Sequence, residues 1–88
     1  MLSPKAAEII RVHIQWMAVD ILGDRVSLVE THLMDHDYEL AIAVHTASGL
    51  RHAVRCRTQI AKEQPGLLAA YMCDRIVAWL DAREALNA

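Results

Sequence analysis

Three arginines, Arg51, Arg55 and Arg57, stand at odd-numbered positions within a short stretch of the 88-residue chain. In a β-strand all three would project from the same face, because side chains alternate with a period of two residues. Guanidinium groups form paired hydrogen bonds with carboxylates and phosphates. Residues 51–62 include four basic side chains and no acidic one, so this row can bind an acidic protein surface or a nucleic acid. A charged edge strand that resists aggregation would show the same row without any ligand.

A second group of polar side chains, between residues 32 and 39, is rich in potential metal ligands. His32 and His36 are four residues apart, a spacing at which two histidines on a helix can hold zinc together. The local pattern instead predicts a strand followed by a turn at 35–37, which places the two histidines on different faces. We therefore predict no metal site and no cofactor, and keep metal binding by His32 and His36 as an alternative hypothesis.

The two cysteines, Cys56 and Cys73, are candidates for nucleophilic chemistry. Neither lies in a Cys-x-x-Cys or zinc-ligand spacing. We expect Cys56 to face the core and Cys73 to lie within an apolar helix, which is typical of buried, reduced thiols. The three glycines are isolated and form no phosphate-binding loop. We predict that the chain is not an enzyme.

The elements that must position these side chains follow from residue periodicity. Ser3 and Pro4 predict a helix start, and Gly23 predicts its end. Residues 25–34 also fit a helical spacing, but their β-branched side chains favour a strand. The predicted elements are a helix over 3–22, strands over 25–34, 38–46 and 50–57, and a helix over 65–86. The expected fold is α+β in one globular domain, residues 1–88, with the order α-β-β-β-α and both helices on one face of a three-stranded antiparallel sheet.

The connection Ala47-Ser48-Gly49 predicts a three-residue hairpin loop with Gly49 at a positive φ angle. This loop pairs Ile42 with Val54 and sets Glu39 opposite Arg57, which keeps one face of the sheet apolar. The other face is then open to a partner. Its expected members are Glu30, His32, Glu39, Ala41, Ala43, His45, Arg51, Ala53, Arg55 and Arg57.

The first helix carries two apolar stripes. The first consists of Ala6, Ile10, His13, Ile14, Met17 and Ile21, and the second consists of Ile9, Val12, Trp16 and Val19. We expect the sheet to cover one side of this helix and the second helix the other, with a dimer contact as the alternative. The chain is nevertheless 55% hydrophobic, which is more than one small core needs. Apolar helix surface around Trp16 and Trp79 is therefore expected to bind a partner, and a homodimer is expected.

The order α-β-β-β-α resembles that of double-stranded-RNA-binding domains. Those domains place a cluster of lysines at the start of the second helix, where the residues here are Lys62, Glu63, Gln64, Pro65 and Gly66. The resemblance therefore covers the topology and not the motif, and membership is not inferred. What it implies is limited to the fold.

Composition bounds the remaining possibilities. The net charge of −2 is unlike the basic balance of most duplex-binding domains, and it hides six acids and one base within residues 20–39. No apolar run has the length of about 20 residues that crosses a bilayer, and no signal-peptide core is present. We expect a soluble, cytoplasmic chain without membrane contact.

The expected function is a non-catalytic protein-protein interaction module, such as a small regulator, a phage- or immunity-type inhibitor, or a subunit. Its predicted partner, acidic in character, would contact Arg51, Arg55, Arg57, Glu39, His45, Trp16 and Trp79. A nucleic-acid-binding module is the alternative.

Overall fold

Two helices and three strands follow one another in the order α-β-β-β-α, which confirms the predicted α+β fold. The computed structural model describes residues 3–34, 39–59 and 64–87. Neither helix in these ranges is both long and apolar enough to span a bilayer. The elements are α1 (Pro4–Leu22), a 3-10 turn (Gly23–Arg25), β1 (Leu28–Met34), β2 (Glu39–His45), β3 (Arg51–Arg57) and α2 (Pro65–Asn87).

Helix α1 is bounded by the capping residues that its sequence predicts. The Ser3 hydroxyl accepts a hydrogen bond from the backbone N–H of Ala6 at 3.1 Å, and Pro4 occupies the first turn. At the other end Gly23 adopts φ 56° and ψ −136°, while its N–H donates to the carbonyl of Val19. A side chain at this φ would be strained, so Gly23 determines where α1 stops.

Strand β1 begins three residues later than expected, at Leu28 instead of residue 25. The chain instead continues from α1 directly into the 3-10 turn Gly23–Arg25. From this turn the Arg25 guanidinium donates to Asp81 at 2.7 Å and to Glu84 at 2.9 Å, and these hydrogen bonds to α2 raise the pKa of Arg25. The chain joins the sheet only at Ser27, whose N–H and hydroxyl both donate to the carbonyl of His45.

The hairpin between β2 and β3 has the predicted register. Gly49 has φ 91°, and the N–H of Thr46 donates to the carbonyl of Leu50 at 2.8 Å. Ile42 consequently pairs with Val54, and β2 lies between β1 and β3 in an antiparallel sheet. Strand β2 ends one residue earlier than predicted, at His45, and β3 begins one residue later, at Arg51. The predicted first residue of β2, Tyr38, lies outside the described residues.

Both helices pack on the same face of the sheet and enclose the core. Helix α1 lies over β1 and α2 lies over β3. The cluster they bury combines alternate residues of the strands with one stripe of each helix. Its fully inaccessible members include Ile14, Ala18, Leu40, Ile42, Val44, Met72 and Ile76.

A small polar network joins α1 to β1 at the edge of this core. Gln15 donates through Nε2 to the carbonyl of Val29 at 2.6 Å, and the hydroxyl of Thr31 donates to Gln15 Oε1 at 2.9 Å. Thr31 is the buried polar residue of the described core, so these bonds satisfy a group that would otherwise be costly to bury. Gln15 therefore connects α1 to the sheet.

Candidate interaction surfaces

The face of the sheet away from the helices is a regular array of four rows of three residues. The pairing register defines these rows, because directly opposed residues in antiparallel strands project to the same side. Ten of the twelve members were predicted from the sequence, and Leu28 and Met34 are the two additional ones. The rows are Leu28–His45–Arg51, Glu30–Ala43–Ala53, His32–Ala41–Arg55 and Met34–Glu39–Arg57.

The centre of this open face consists of three alanines, Ala41, Ala43 and Ala53. Ala41 and Ala43 are nearly inaccessible, although they lie outside the core cluster beneath the helices. The longer side chains of the neighbouring strands shield them, whereas Ala53 on β3 is exposed. The open face is thus shallow in the middle and built up at its edges.

The two carboxylates of the open face are each held by cationic or titratable neighbours. Glu30 contacts His45 Nε2 at 2.9 Å and His32 Nε2 at 3.7 Å. Glu39 lies 3.6 Å from Arg55 Nη1 and 3.8 Å from Arg57 Nε, as the predicted pairing of Glu39 with Arg57 implies. The face therefore holds each acid beside histidine or arginine side chains and has its three arginines along one edge.

The three arginines remain accessible despite these contacts. The side chains of Arg55 and Arg57 are 70% and 76% exposed, whereas that of Glu39 is only 18% exposed. Arg51 is exposed and forms no ion pair with any residue in the described ranges. Three guanidinium groups on β3 can thus reach an acidic ligand without a rearrangement of the backbone.

The two tryptophans proposed as contact residues occupy different environments. Trp79 stacks on the ring of His52, with centroids 4.5 Å apart and planes 6° from parallel, and is half-buried against the core. Trp16 is 68% exposed on α1. Only Trp16 therefore offers a whole aromatic face to a partner.

The second apolar stripe of α1 is not covered, and the expectation that α2 would cover it is wrong. Ile9, Val12, Trp16 and Val19 are all exposed. Helix α2 instead lies beside α1, where the Gly66 backbone comes so near Met17 that a Cβ would lie 3.2 Å from its Cε. The stripe points to the side of α1 opposite the buried residues Ile14 and Ala18.

The histidine pair considered for metal binding does not form a site in the described structure. His36 lies outside the described residues, and His32 on the open face contacts Glu30. Within residues 3–34, 39–59 and 64–87, no three histidine, cysteine, aspartate or glutamate side chains are grouped as metal ligands.

A cleft of about 290 Å³ lies between the hairpin turn and the second half of α2. Trp79 and Leu80 form its apolar side, and Arg25 and Glu84 at its border are already joined by an ion pair. The polar groups at its border are thus partly occupied by contacts within the chain.

The two cysteines differ in accessibility, and this difference predicts their reactivity. Both are free thiols, with Cys73 fully buried and Cys56 partly exposed. Burial, assisted by the charge of Asp74, raises the pKa of Cys73 to about 11, so at pH 8 it stays protonated and unreactive. A thiol reagent such as Ellman's reagent should modify Cys56 in the native protein and Cys73 only after unfolding. In Cys56→Ser the rapid phase should vanish, and equal rates for both native thiols would contradict this assignment.

Comparisons of the chain with protein-family models, curated proteins and solved structures found no match. The candidate surfaces are therefore judged on their own geometry and charge.

Proposed function

We propose that this chain is a small, non-catalytic protein-binding module whose open sheet face receives an acidic protein partner. In this role it acts as a regulator, an inhibitor or a subunit of a larger assembly. The observation that supports the proposal best is the row of three accessible arginines beside a centre of alanines on the open face.

The shape of the open face suits a protein surface. Ala53 is exposed between the arginines of β3, and its small side chain leaves room for a side chain or a segment of backbone from the partner to approach the sheet. The surrounding arginines can form paired hydrogen bonds with its carboxylates. Such contacts are directional, so they select a partner by its geometry as well as by its charge.

The electrostatics of the open face favour an acidic partner. Glu39 lies 3.6 Å from Arg55 Nη1 and 3.8 Å from Arg57 Nε, and the contact with Arg55 is longer than a direct charged hydrogen bond. A carboxylate of the partner can therefore form a shorter bond with Arg55 than Glu39 does. Arg51 adds a third cation at the other end of the row.

Charge reversal on the open face tests this function. Arg51→Glu and Arg55→Glu should each weaken the complex about tenfold or more, because each replaces an attractive contact by a repulsive one. Glu39→Gln should strengthen binding, since it removes a carboxylate that competes with the partner for Arg55. The measurement is capture of the partner from source cells, followed by titration of the purified partner with each variant by calorimetry.

The matched control is Arg75→Glu, which reverses an exposed charge on α2, away from the open face. It should bind the partner like the wild-type chain. If all four variants bind a purified partner with the affinity of the wild-type chain, the open face is not its binding site. If no protein is retained in a manner that depends on Arg51 and Arg55, the proposed function is wrong.

Nucleic acid is the second candidate ligand, because phosphates bind guanidinium rows by the same chemistry. The exposure of Arg51, Arg55 and Arg57 on one strand favours it, while Glu30 and Glu39 on the same face oppose it. A duplex RNA and a duplex DNA serve as probes. Binding that weakens steeply with salt and is lost in Arg55→Glu would support this candidate over the protein partner. Unchanged retention by Arg55→Glu would exclude it.

A further inference from the structure

Helix α1 presents a row of large apolar side chains on its outer side, named here the outer row: Ile9, Val12, Trp16 and Val19. Their exposed fractions are 62%, 38%, 68% and 40%. Ile14 and Ala18, on the opposite side of the same helix, are wholly inaccessible. The outer row is therefore separate from the core and directed away from it. A contiguous apolar row of this kind on a small domain marks an interaction site.

The outer row has the spacing of a helix-pairing seam. Its members are separated by three, four and three residues, which is the alternation that keeps one stripe of a helix against another helix. The same alternation continues by four residues in each direction. The residues at these two positions are Lys5 at the start of α1 and Gly23 at its end.

We propose that the outer row binds the outer row of a second copy of this chain, with the two α1 helices antiparallel about a twofold axis. A twofold axis near residue 14 puts Ile9 opposite Val19 of the second copy and Val12 opposite its Trp16. Every large apolar residue of the row then faces another one. The contact is isologous, so two identical chains close it completely.

The charges at the ends of the outer row determine the direction of pairing. In the antiparallel arrangement Lys5 lies over Gly23 of the second copy, where the absent side chain leaves space for the lysine. Asp20 and Asp24 flank that glycine, are exposed, and form no ion pair within the described part of the chain. A parallel arrangement would instead bring Lys5 against Lys5 and Asp20 against Asp20.

The end of α1 offers a second reason for the antiparallel direction. Its last turn carries no basic residue, so the partial negative charge of the helix C-terminus is not complemented by a side chain of that turn. Lys5 of the second copy would supply a cation at this position. Lys5 at the start of each α1 would thus lie beside the acidic C-terminal end of the other α1, and this contact occurs twice per dimer.

This self-association is independent of the proposed function, because it uses the helix layer and leaves the open sheet face free. A contact through one helix pair lies at the small end of protein interfaces, below about 1,200 Å². We therefore expect a reversible dimer with a micromolar dissociation constant. Sedimentation equilibrium of the purified full chain from about 1 μM to about 1 mM covers the relevant range.

The first test removes the largest side chain of the outer row. The wild-type chain should shift from monomer to dimer over this concentration range, and Trp16→Ala should weaken the dimer about tenfold or more. Leu86→Ala is the matched control, since Leu86 is also an exposed apolar residue of a helix but lies near the end of α2. It should dimerise like the wild-type chain. A wild-type chain that stays monomeric, or a Trp16→Ala chain with unchanged affinity, would overturn the proposal.

The second test exchanges the charges that set the direction. Lys5→Glu and Asp20→Lys should each weaken the dimer about tenfold, because each dimer contains two of these contacts. Both substitutions suit the helix dipole of the monomer, so loss of the dimer cannot be ascribed to loss of folding, and circular dichroism verifies this. The double variant Lys5→Glu/Asp20→Lys should recover the wild-type affinity. Single variants that dimerise like the wild-type chain would overturn the antiparallel arrangement.

Discussion

Ile42→Ala should lower the free energy of unfolding by about 2–5 kcal/mol, the usual cost of truncating a fully buried aliphatic side chain. Ile42 lies at the centre of the middle strand, between Thr31 and Val54, and is completely inaccessible. Both helices pack over this part of the sheet, so the cavity left behind cannot be filled by a small shift of one side chain. Urea denaturation followed by circular dichroism measures the loss.

The matched control for this core substitution is Leu28→Ala on the same sheet. Leu28 is half exposed on the open face, so its truncation should cost no more than about 1 kcal/mol. A domain of this size has a thin margin of stability, and Ile42→Ala is expected to be partly unfolded at 37 °C. Equal losses for the two variants would contradict the division between a packed inner face and an open one.

Trp79→Ala should be the other strongly destabilising substitution, with a loss of about 2–4 kcal/mol. Its indole ring covers the inner face of β3 by stacking on His52 and packs against the core. Truncation removes the stack and exposes Leu80 and part of β3 to water. Thermal and urea unfolding at low protein concentration, where self-association does not contribute, gives the relevant value.

Trp16→Ala is the natural control for Trp79→Ala, because the same side chain is removed from an exposed site. Under the same dilute conditions its effect on unfolding should be within about 0.5 kcal/mol. The two tryptophans would then be separated into one that stabilises the fold and one that is available to a partner. If the two variants lose similar amounts of stability, Trp16 contributes to the monomer in a manner that its exposure does not explain.

The sheet was predictable because its determinants are local. From residue 39 to 45 and from 51 to 57, residues that face the core alternate with alanine, charged residues and His45 on the open face. Gly49 permits one loop length that keeps the core-facing residues of the two strands opposite each other. The pairing of Glu39 with Arg57 follows from that register alone. The open face and its arginine row were predicted for the same reason.

The start of β1 was not predictable from local pattern, because it depends on contacts between distant parts of the chain. Arg25 lies in a 3-10 turn and donates hydrogen bonds to Asp81 and Glu84 of α2, whereas the sequence pattern predicted a strand from this residue onward. No propensity scale for a short window includes a partner more than fifty residues away. Gln15 is a similar case, since its role depends on the carbonyl of Val29 across the core.

The exposure of the outer row shows a different limit of sequence reasoning. Periodicity identifies two apolar stripes on α1, but it does not state how far around the helix a three-stranded sheet and one neighbouring helix can reach. The structure answers this, because α2 lies beside α1 and covers only one of the stripes. The tryptophans were likewise indistinguishable by type, and only packing assigns Trp79 to the fold.

The position of α2 over β3 has a consequence for folding during synthesis. Among the described elements, α2 is the one that covers the inner face of β3, and it is the last of them to leave the ribosome. Until then Val54 and the ring of His52 are exposed to solvent on a sheet whose strands can already pair. The hairpins can form before α2 is synthesised. The nascent chain nevertheless exposes apolar surface until α2 packs on the sheet, and this is the interval in which a chaperone can bind it.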